Sequence, residues 1–337
     1  MPDLPTRWVA FRNSVYFTAA VLVVILTIGA GLFAASYTYA MANPEPKAVP
    51  VANVVGFDVP ERQEEFLKGI QRVLDASLIP IRYDSWDAAR YGIEHQEVHG
   101  VIGPTERGVE LAVTSAGGYQ VAQLLTDAGR AVGNDLGVEV EIRDLTPLQD
   151  GDPRGLALFY LTLASILIGF VGAMNLRAHA EELPPPGRLA FTAVYSSTGA
   201  FAIVGVVTGP LGAIDLPFAE AWAILALTAF TTGMVGTMFN TLFGRWGILP
   251  TWGLLVLIGN PSSGGVVSWP LLPFPFSVIG PWLPAGASIE ALHTAVYFPD
   301  AQHPFPFLVL VVWSVFCASV FWIWRHRHPT GVLVRSN

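Results

Sequence analysis

Residues 258–284 interrupt the more apolar half of the chain with the sequence I-G-N-P-S-S-G-G-V-V-S-W-P-L-L-P-F-P-F-S-V-I-G-P-W-L-P. Each proline removes a backbone donor and clashes with the preceding helical turn, so a plain membrane helix cannot be built from it. Non-helical backbone at membrane depth persists only where protein or a water-filled cavity satisfies it. This proline-rich stretch therefore predicts either a re-entrant element or a long loop that covers a membrane part.

Composition indicates a membrane protein with one water-soluble part. Of the 337 residues, 52% are hydrophobic and 13% are charged, whereas an ordinary soluble domain has about 25% charged residues. The net charge is -8, and the acidic excess is local: residues 41–155 contain 19 acidic and 10 basic side chains, against 7 and 8 elsewhere. We therefore expect an acidic soluble domain joined to a nearly neutral membrane body, and no nucleic-acid binding.

Apolar runs predict six membrane spans, because about 20 apolar residues cross a bilayer. The first run is long for a cleaved signal peptide, whose apolar core has about 7–15 residues, so an uncleaved anchor is favoured although Ala40-Met41-Ala42 resembles a cleavage site. The fifth span begins before the proline-rich stretch and is broken by it. The predicted spans cover residues 15–39, 156–176, 189–214, 219–243, 248–258 and 305–324.

The soluble part follows a proline-rich connector and alternates strand and helix patterns, which is typical of an α/β layer structure. Ser85 is a candidate N-cap for one of the helices. Strands are predicted at residues 51–57, 78–83, 98–102, 109–114 and 138–145, and helices at 61–76, 86–95 and 118–136. The expected fold class is a six-helix polytopic membrane protein with an extracytoplasmic α/β domain inserted between helices 1 and 2.

The positions of arginine predict the orientation, since short cytoplasmic loops carry an excess of basic residues. With six spans, every arginine after residue 154 falls on the same side as Arg7 and Arg12, and the opposite loops near Asp215 and from Asn260 to Pro304 contain none. We therefore expect a multi-pass plasma-membrane protein with both termini in the cytoplasm and residues 43–154 outside. The arginines concerned are Arg177, Arg188, Arg245, Arg325, Arg327 and Arg335.

The motifs that would indicate enzyme chemistry are missing. Neither Lys47 nor Lys68 ends a G-x-x-x-x-G-K sequence, and there is no H-E-x-x-H or C-x-x-C. The spans contain almost no ionisable residues, which argues against a proton-coupled carrier. We predict no enzyme activity, no cofactor and no metal site.

Small and hydroxylated residues recur within the spans. Gly233, Thr237 and Thr241 follow one another at intervals of four and share one helix face. Such residues let helices approach closely and hydrogen-bond across an interface. The pattern favours packing within one bundle, and a dimer interface or a weakly polar conduit is the alternative.

One span, an external α/β domain and five further spans resemble the type-2 ABC exporter permeases, and more narrowly their phage-infection-protein (Pip) branch. The residues that carry the resemblance are G-N-P-S-S-G-G at 259–265, L-L-P at 271–273, I-G-P-W-L-P at 279–284 and V-A-N-V-V-G-F-D at 51–58. The chain departs from the longer members of this family in having no fused ATPase domain and a smaller external domain.

The resemblance implies the membrane subunit of an exporter of lipid-like or amphipathic molecules, paired as a homodimer in the lipid bilayer and powered by a separate ATPase. Arg177, Arg188 and Arg245 would lie in the turns that face this ATPase. The alternative is a surface receptor or scaffold whose external domain binds a partner without transport. The implied external gate comprises Gly259, Asn260, Pro261, Ser262, Ser263, Gly264, Gly265, Pro270, Pro273, Pro281 and Pro284.

The expected domain organisation has four parts. They are a cytoplasmic head with the first span (1–42), the extracytoplasmic domain (43–154), the remaining spans (155–325, with the proline-rich or re-entrant segment at 259–303) and a cytoplasmic tail (326–337).

Overall fold

A computed structural model describes residues 9, 12–42, 46, 48–54, 60–74, 78–105 and 108–328. The end of the predicted first strand, Arg7 and the tail with Arg335 lie outside these residues. The strands are β1 (Val49–Val54), β2 (Leu78–Tyr83), β3 (Gly100–Pro104), β4 (Gly108–Val113) and β5 (Glu139–Asp144). The helices, in chain order, are α1 (Val15–Met41), α2 (Pro60–Val73), α3 (Trp86–Glu94), α4 (Tyr119–Leu136), α5 (Ala157–His179), α6 (Pro185–Thr208), α7 (Phe218–Phe243), α8 (Ile248–Trp252), α9 (Phe276–Ile279), α10 (Pro284–Tyr297) and α11 (Phe305–Arg327).

The segment from β1 to β5, named the sheet region here, contains the predicted alternation of strands and helices. Its strand order is β2-β1-β3-β4-β5, with β1 parallel to β2 and β3, β4 antiparallel to β3, and β5 parallel to β4. Helices α2 and α4 cover one face through Phe66, Ile70 and Leu125. Helix α3 covers part of the other face through Ala89 and Ile93. The sheet region therefore has an apolar core on both sides, as a small α/β fold requires.

Local chemistry fixes the ends of two of these helices. The Ser85 side chain accepts a hydrogen bond from the Ala88 amide at 3.1 Å, which confirms the predicted N-cap of α3. Helix α4 ends at Gly137, whose φ of 63° is in the left-handed region that glycine adopts most readily.

Five helical segments are long and apolar enough to cross a membrane: α1, α5, α6, a run beginning with α7, and α11. Helix α7 lies at the centre of a bundle with α5, α6, α10 and α11, and we call this set the helix bundle. The hydroxyl of Thr228 on α7 donates to the Ser288 hydroxyl on α10 at 2.8 Å, and the Thr162 hydroxyl on α5 lies 3.3 Å from the same oxygen. Paired hydroxyls satisfy one another where no water is available.

The fifth predicted span is short, and the prediction of six spans is not confirmed. Gly244, with φ of 59°, ends α7, and the chain turns so tightly that the Gly247 backbone lies against Phe239. The following helix comprises α8 and a π-helical continuation, Gly253–Gly259. Its 12 residues rise about 18 Å, less than the roughly 30 Å of a bilayer core.

After the proline-rich stretch the chain returns into the helix bundle as α10. Ten of its 14 residues are buried, including Ala287 and Leu292. It packs against α11, α7 and α5. The chain thus forms a short helix, a broken stretch and a second short helix between the long helices α7 and α11.

Candidate functional site

The proline-rich stretch is the place where α1, the sheet region and the helix bundle meet. From α1, the Ser36 hydroxyl donates to the Leu257 carbonyl at 2.6 Å, and the Tyr39 hydroxyl donates to the Phe274 carbonyl at 3.0 Å. Val267 is buried in the same apolar cluster as the helices of the sheet region. The stretch is therefore a structural junction as well as a candidate site.

Two predicted gate residues are occupied by internal hydrogen bonds. The Asn260 amide donates to the Tyr37 hydroxyl at 2.7 Å. Ser262 is fully buried; its hydroxyl donates to the Ile258 carbonyl at 2.8 Å, and its own carbonyl accepts from Trp269 Nε1 at 3.0 Å. These two side chains fix the shape of the turn.

Gly264 is required by the shape of this turn. Its φ is 83°, and a Cβ at this position would lie 2.8 Å from the Trp269 ring. A glycine is therefore needed both for the backbone conformation and for the close approach of the indole.

The other predicted gate residues divide into two groups. Ser263, Gly264, Gly265 and Pro270 line a cavity between the sheet region and the helix bundle. Gly259, Pro261 and Pro284 are buried in the junction, while Pro273 and Pro281 are partly exposed and are not among the residues that line the cavity. The structure thus brings only part of the predicted gate to one open space.

The cavity has a volume of about 790 Å³. Its walls are the loop from Ser115 to Gly118 before α4, the start of α5, one side of α10 and residues 263–270 of the proline-rich stretch. The polar lining residues are Gln96, His99, Ser115, Tyr119, Gln120, Gln123, Arg154, Ser263, Ser268, Glu290, His293 and Tyr297, and the apolar ones include Leu148, Leu158, Phe159, Val266, Trp269 and Ile289.

Two histidines from different parts of the chain bind the same loop of the cavity wall. His293 Nε2 on α10 donates to the Ala116 carbonyl. His99, next to β3, hydrogen-bonds the Gly117 backbone. Burial lowers the pKa of His99 to about 4, an effect to which the nearby His293 adds and which the Gly117 hydrogen bond opposes. His99 is therefore neutral near pH 7.

Formal charge in the cavity wall is balanced. Arg154 and Glu290 are the charged lining residues, and Glu290 Oε1 lies 3.4 Å from His303 Nε2. The nearby carboxylate of Asp152 accepts hydrogen bonds from the Leu156 and Ala157 amides, both at 2.9 Å, and so caps α5. The polar part of the wall thus consists mainly of neutral hydrogen-bonding groups.

The predicted ATPase-facing arginines lie at the opposite end of the helix bundle, which we call the far end. Arg177 Nη1 donates to the Asn240 carbonyl at 2.6 Å. Arg188 is 7% exposed, and its Nη2 donates to the Ala180 carbonyl at 2.8 Å. Arg245 lies over the Trp246 ring at 5.0 Å. Arg177 and Arg188 thus satisfy the carboxyl ends of helices, a role that cations fill well.

The predicted packing face of α7 lies against its neighbours in the helix bundle. A Cβ at Gly233 would lie 2.5 Å from the Tyr195 hydroxyl on α6. The Thr237 hydroxyl is buried and has no hydrogen-bond partner among the described residues. The Thr237 backbone carbonyl accepts a hydrogen bond from the Thr241 hydroxyl at 2.8 Å. Contacts within one chain explain why a small residue is needed at Gly233. A role of this face in a dimer interface stays a prediction.

Sequence reasoning missed several residues of the cavity wall. Residues 115–118 form the turn between β4 and α4, where the predicted strand and the predicted helix adjoin, but their position opposite α10 depends on the docking of the sheet region. The Gly117-Gly118 pair after a strand was the available signal for a close approach, and Gly118 does meet Ser268, whose hydroxyl would lie 2.9 Å from a Cβ at 118. Among the described residues, no group of three or more His, Cys, Asp or Glu side chains is placed to hold a metal ion.

Comparison with protein-family models, with curated proteins and with solved structures finds no match for this chain. The resemblance to type-2 ABC permeases therefore stays a prediction from the residues quoted above.

Proposed function

We propose that this chain is the membrane subunit of an exporter of lipid-like or amphipathic molecules, powered by a separate ATPase. The observation that carries the proposal is the cavity at the junction, where Ser263, Gly264, Gly265 and Pro270 adjoin an open space of about 790 Å³. A volume of this size holds a drug-sized or amphipathic molecule.

The polar character of the helix bundle supports an uncharged or weakly polar cargo. Its buried polar side chains are mostly hydroxyls, including Thr162, Thr228 and Ser288. Arg188 is the one charged side chain among the buried residues of its helices in the described part of the chain, and it lies at the far end. A charged cargo would find no buried counter-charge along most of such a path.

Helix α1 supports association with lipid or with a second copy. In its most apolar 18-residue window no residue is buried by the other described residues, and Ala40 is the buried residue of the helix. Its apolar surface, including Val23 and Leu26, must therefore be covered by the bilayer or by another protein. We propose a homodimer in the plasma membrane, with both termini in the cytoplasm and the sheet region outside.

We propose that the ATPase contacts the exposed part of the turn between α5 and α6 rather than the arginines. Arg177 and Arg188 are held by helix carboxyl ends, whereas Glu181 and Glu182, between α5 and α6, are exposed. Charge reversal at these two positions changes the surface without removing an internal hydrogen bond of the described structure.

The test is affinity purification of the tagged full chain from its native membranes, together with ATP-driven uptake of a fluorescent phospholipid into inside-out vesicles. We expect a nucleotide-binding subunit to co-purify. The double variant Glu181→Lys/Glu182→Lys should lose at least tenfold of both co-purification and uptake, because a charged rim controls association. Asp300→Lys, exposed at the opposite end of the bundle, is the matched control and should keep both. The proposal is refuted if no nucleotide-binding subunit co-purifies with the wild-type chain and if uptake equals that of vesicles without the chain.

A second candidate is a receptor, and one observation favours it. The sheet region supplies many of the polar lining residues, among them Gln96, Gln120 and Gln123. Ligand binding without any ATP-dependent uptake would identify this function.

A further inference from the structure

The polar part of the cavity wall is rich in side-chain amides and hydroxyls. Three glutamine side chains face it from the sheet region: Gln96, Gln120 and Gln123. Each side-chain amide both donates and accepts hydrogen bonds, as hydroxyl groups do. Ser263 and Ser268 add hydroxyls from the proline-rich stretch on the other side.

One of these amides lacks a partner within the protein. The Gln120 side-chain oxygen is buried and accepts no hydrogen bond from any described residue. A buried acceptor without a partner costs about 1–3 kcal/mol, so a rotation that turns this amide towards a ligand donor in the cavity would be favourable. A hydroxyl group is such a donor.

The charges in the wall disfavour an ionic ligand. Arg154 and Glu290, the lining residues with a formal charge, have opposite signs, and His99 is neutral near pH 7 because burial lowers its pKa to about 4. An anion or a cation would lose its hydration without gaining net opposite charge. A neutral ligand avoids this cost.

Aromatic and apolar groups complete the wall. Trp269 lines the cavity, and its ring is held in place because Nε1 donates to the Ser262 carbonyl at 3.0 Å. Phe159 and Ile289 lie on the side of the helix bundle. Fixed aromatic faces beside amides match the C–H faces and hydroxyl edges of a sugar ring.

We propose that this cavity binds an uncharged, hydroxyl-rich group, either a sugar or a polyol. The sheet region contacts this group on one side and the helix bundle contacts it on the other. The group comes from the headgroup of a membrane lipid or from a free sugar, and both present the same chemistry to the wall. Binding here does not depend on transport, so it goes beyond the proposed function and is measured on the purified chain alone.

The experiment is native mass spectrometry of the full chain in a detergent without sugar groups, with three lipids that share the same acyl chains. The probes are monogalactosyl diacylglycerol, phosphatidylglycerol and phosphatidylcholine. We expect the galactolipid to bind at least tenfold more tightly than either phospholipid. If free galactose competes with the galactolipid, the source of the ligand is soluble. If it does not compete, the source is the lipid. Either result supports binding of an uncharged, hydroxyl-rich group.

Variants locate the binding. Gln120→Leu and Gln123→Leu should each weaken galactolipid binding about tenfold, and Gln123 is exposed, so its loss leaves folding intact. Gln302→Leu, outside the cavity and bonded to Glu220 at 2.8 Å, is the control and should bind as the wild type does. Equal binding of the three lipids, or unchanged binding by both cavity variants, would overturn the proposal. The variant Glu181→Lys/Glu182→Lys should still bind galactolipid, so failure of export and failure of binding are told apart.

Discussion

Arg188 illustrates how a single buried side chain can serve a structural purpose that its sequence position does not reveal. It follows three prolines in a polar turn, where the arrangement of arginines predicts a cytoplasmic surface. In the structure its guanidinium reaches back to the carboxyl end of α5 and donates to the Leu176 and Ala180 carbonyls at 3.4 and 2.8 Å. Both carbonyls also accept a backbone amide, and the added cationic donor stabilises the end of α5 together with the following turn.

Replacement of Arg188 should therefore destabilise the helix bundle. We expect Arg188→Ala to lower the free energy of unfolding by about 2–3 kcal/mol, since two partly buried hydrogen bonds from a charged donor are lost. Thermal unfolding of the detergent-solubilised chain, followed by tryptophan fluorescence, measures the change. Arg245→Ala is the control: its side chain lies over the exposed Trp246 ring and should cost less than about 1 kcal/mol. Equal losses in the two variants would contradict the capping role.

His99 should make the stability of the protein depend on pH. Its pKa in the folded protein is about 4, against an ordinary value of 6.5, so the folded state binds fewer protons between these values. The contribution of neutral His99 is fully present above pH 6.5 and is lost as the pH falls from 6.5 to about 4. After allowance for solvent around a partly exposed ring, we expect a loss of roughly 1–3 kcal/mol.

Unfolding measured across this pH range, in wild type and in His99→Gln, tests the assignment. The variant should lose part of the acid sensitivity, because glutamine does not titrate. His95→Gln is the matched control, since His95 lies four residues away and stacks on the Tyr91 ring. An acid sensitivity that is the same in wild type and His99→Gln would exclude His99 as its source.

At the scale of elements, Gly169 lets α5 and α7 approach each other closely. A Cβ at Gly169 on α5 would overlap the Thr232 hydroxyl and the Ala229 carbonyl of α7, and Gly233 lies on the same contact. Backbone is present on the opposite side, so no side-chain rotation can make room. The small residues that the sequence shows at regular spacing thus allow the central helix to lie against its neighbours.

A pair of glycine variants tests this packing. Gly169→Ala should destabilise the bundle by about 1–3 kcal/mol through overpacking. Gly205→Ala on α6 is the control, because a Cβ there would have no atom within 4 Å, and alanine should leave stability unchanged or raise it by up to about 1 kcal/mol. Thermal unfolding of both variants measures the difference. A Gly169→Ala protein as stable as Gly205→Ala would contradict the close contact.

At the scale of the whole molecule, the proline-rich stretch connects parts that are distant in sequence. Val267, Leu271 and Leu272 pack with Leu125 of the sheet region. On the other side of the junction, the Gln149 side chain donates to the Asp215 carbonyl at 3.1 Å and accepts from the Asp215 amide at 2.6 Å. The sheet region is therefore held at the junction by apolar contacts, and the segment that follows β5 is held by polar contacts to the loop between α6 and α7.

Disruption of the apolar contact should loosen the docking. Val267 is 3% exposed, and Val267→Asn would remove about 1.5–3 kcal/mol of apolar burial and place an unpaired amide in the junction. We expect faster limited proteolysis between the sheet region and α5. Val73→Asn is the control, because this site is 50% exposed, and it should be cleaved at the wild-type rate. Equal cleavage rates in the wild type and both variants would show that Val267 does not hold the sheet region against the helix bundle.

The sequence by itself determined the elements of this protein. Apolar runs and strand periodicity act within one segment, so they located the long helices, the strands of the sheet region and the Ser85 cap to within a few residues. The proline-rich stretch was recognisable as broken backbone for the same local reason. The tertiary structure decided what these elements face: that α10 returns into the bundle, that Arg177 and Arg188 contact helix ends, and that residues 115–118 and 263–270 enclose one cavity. Such contacts join residues that are far apart in the chain, 177 positions for His293 and Ala116 and 235 positions for Tyr39 and Phe274. They depend on how separate apolar surfaces pack together, which no local pattern encodes.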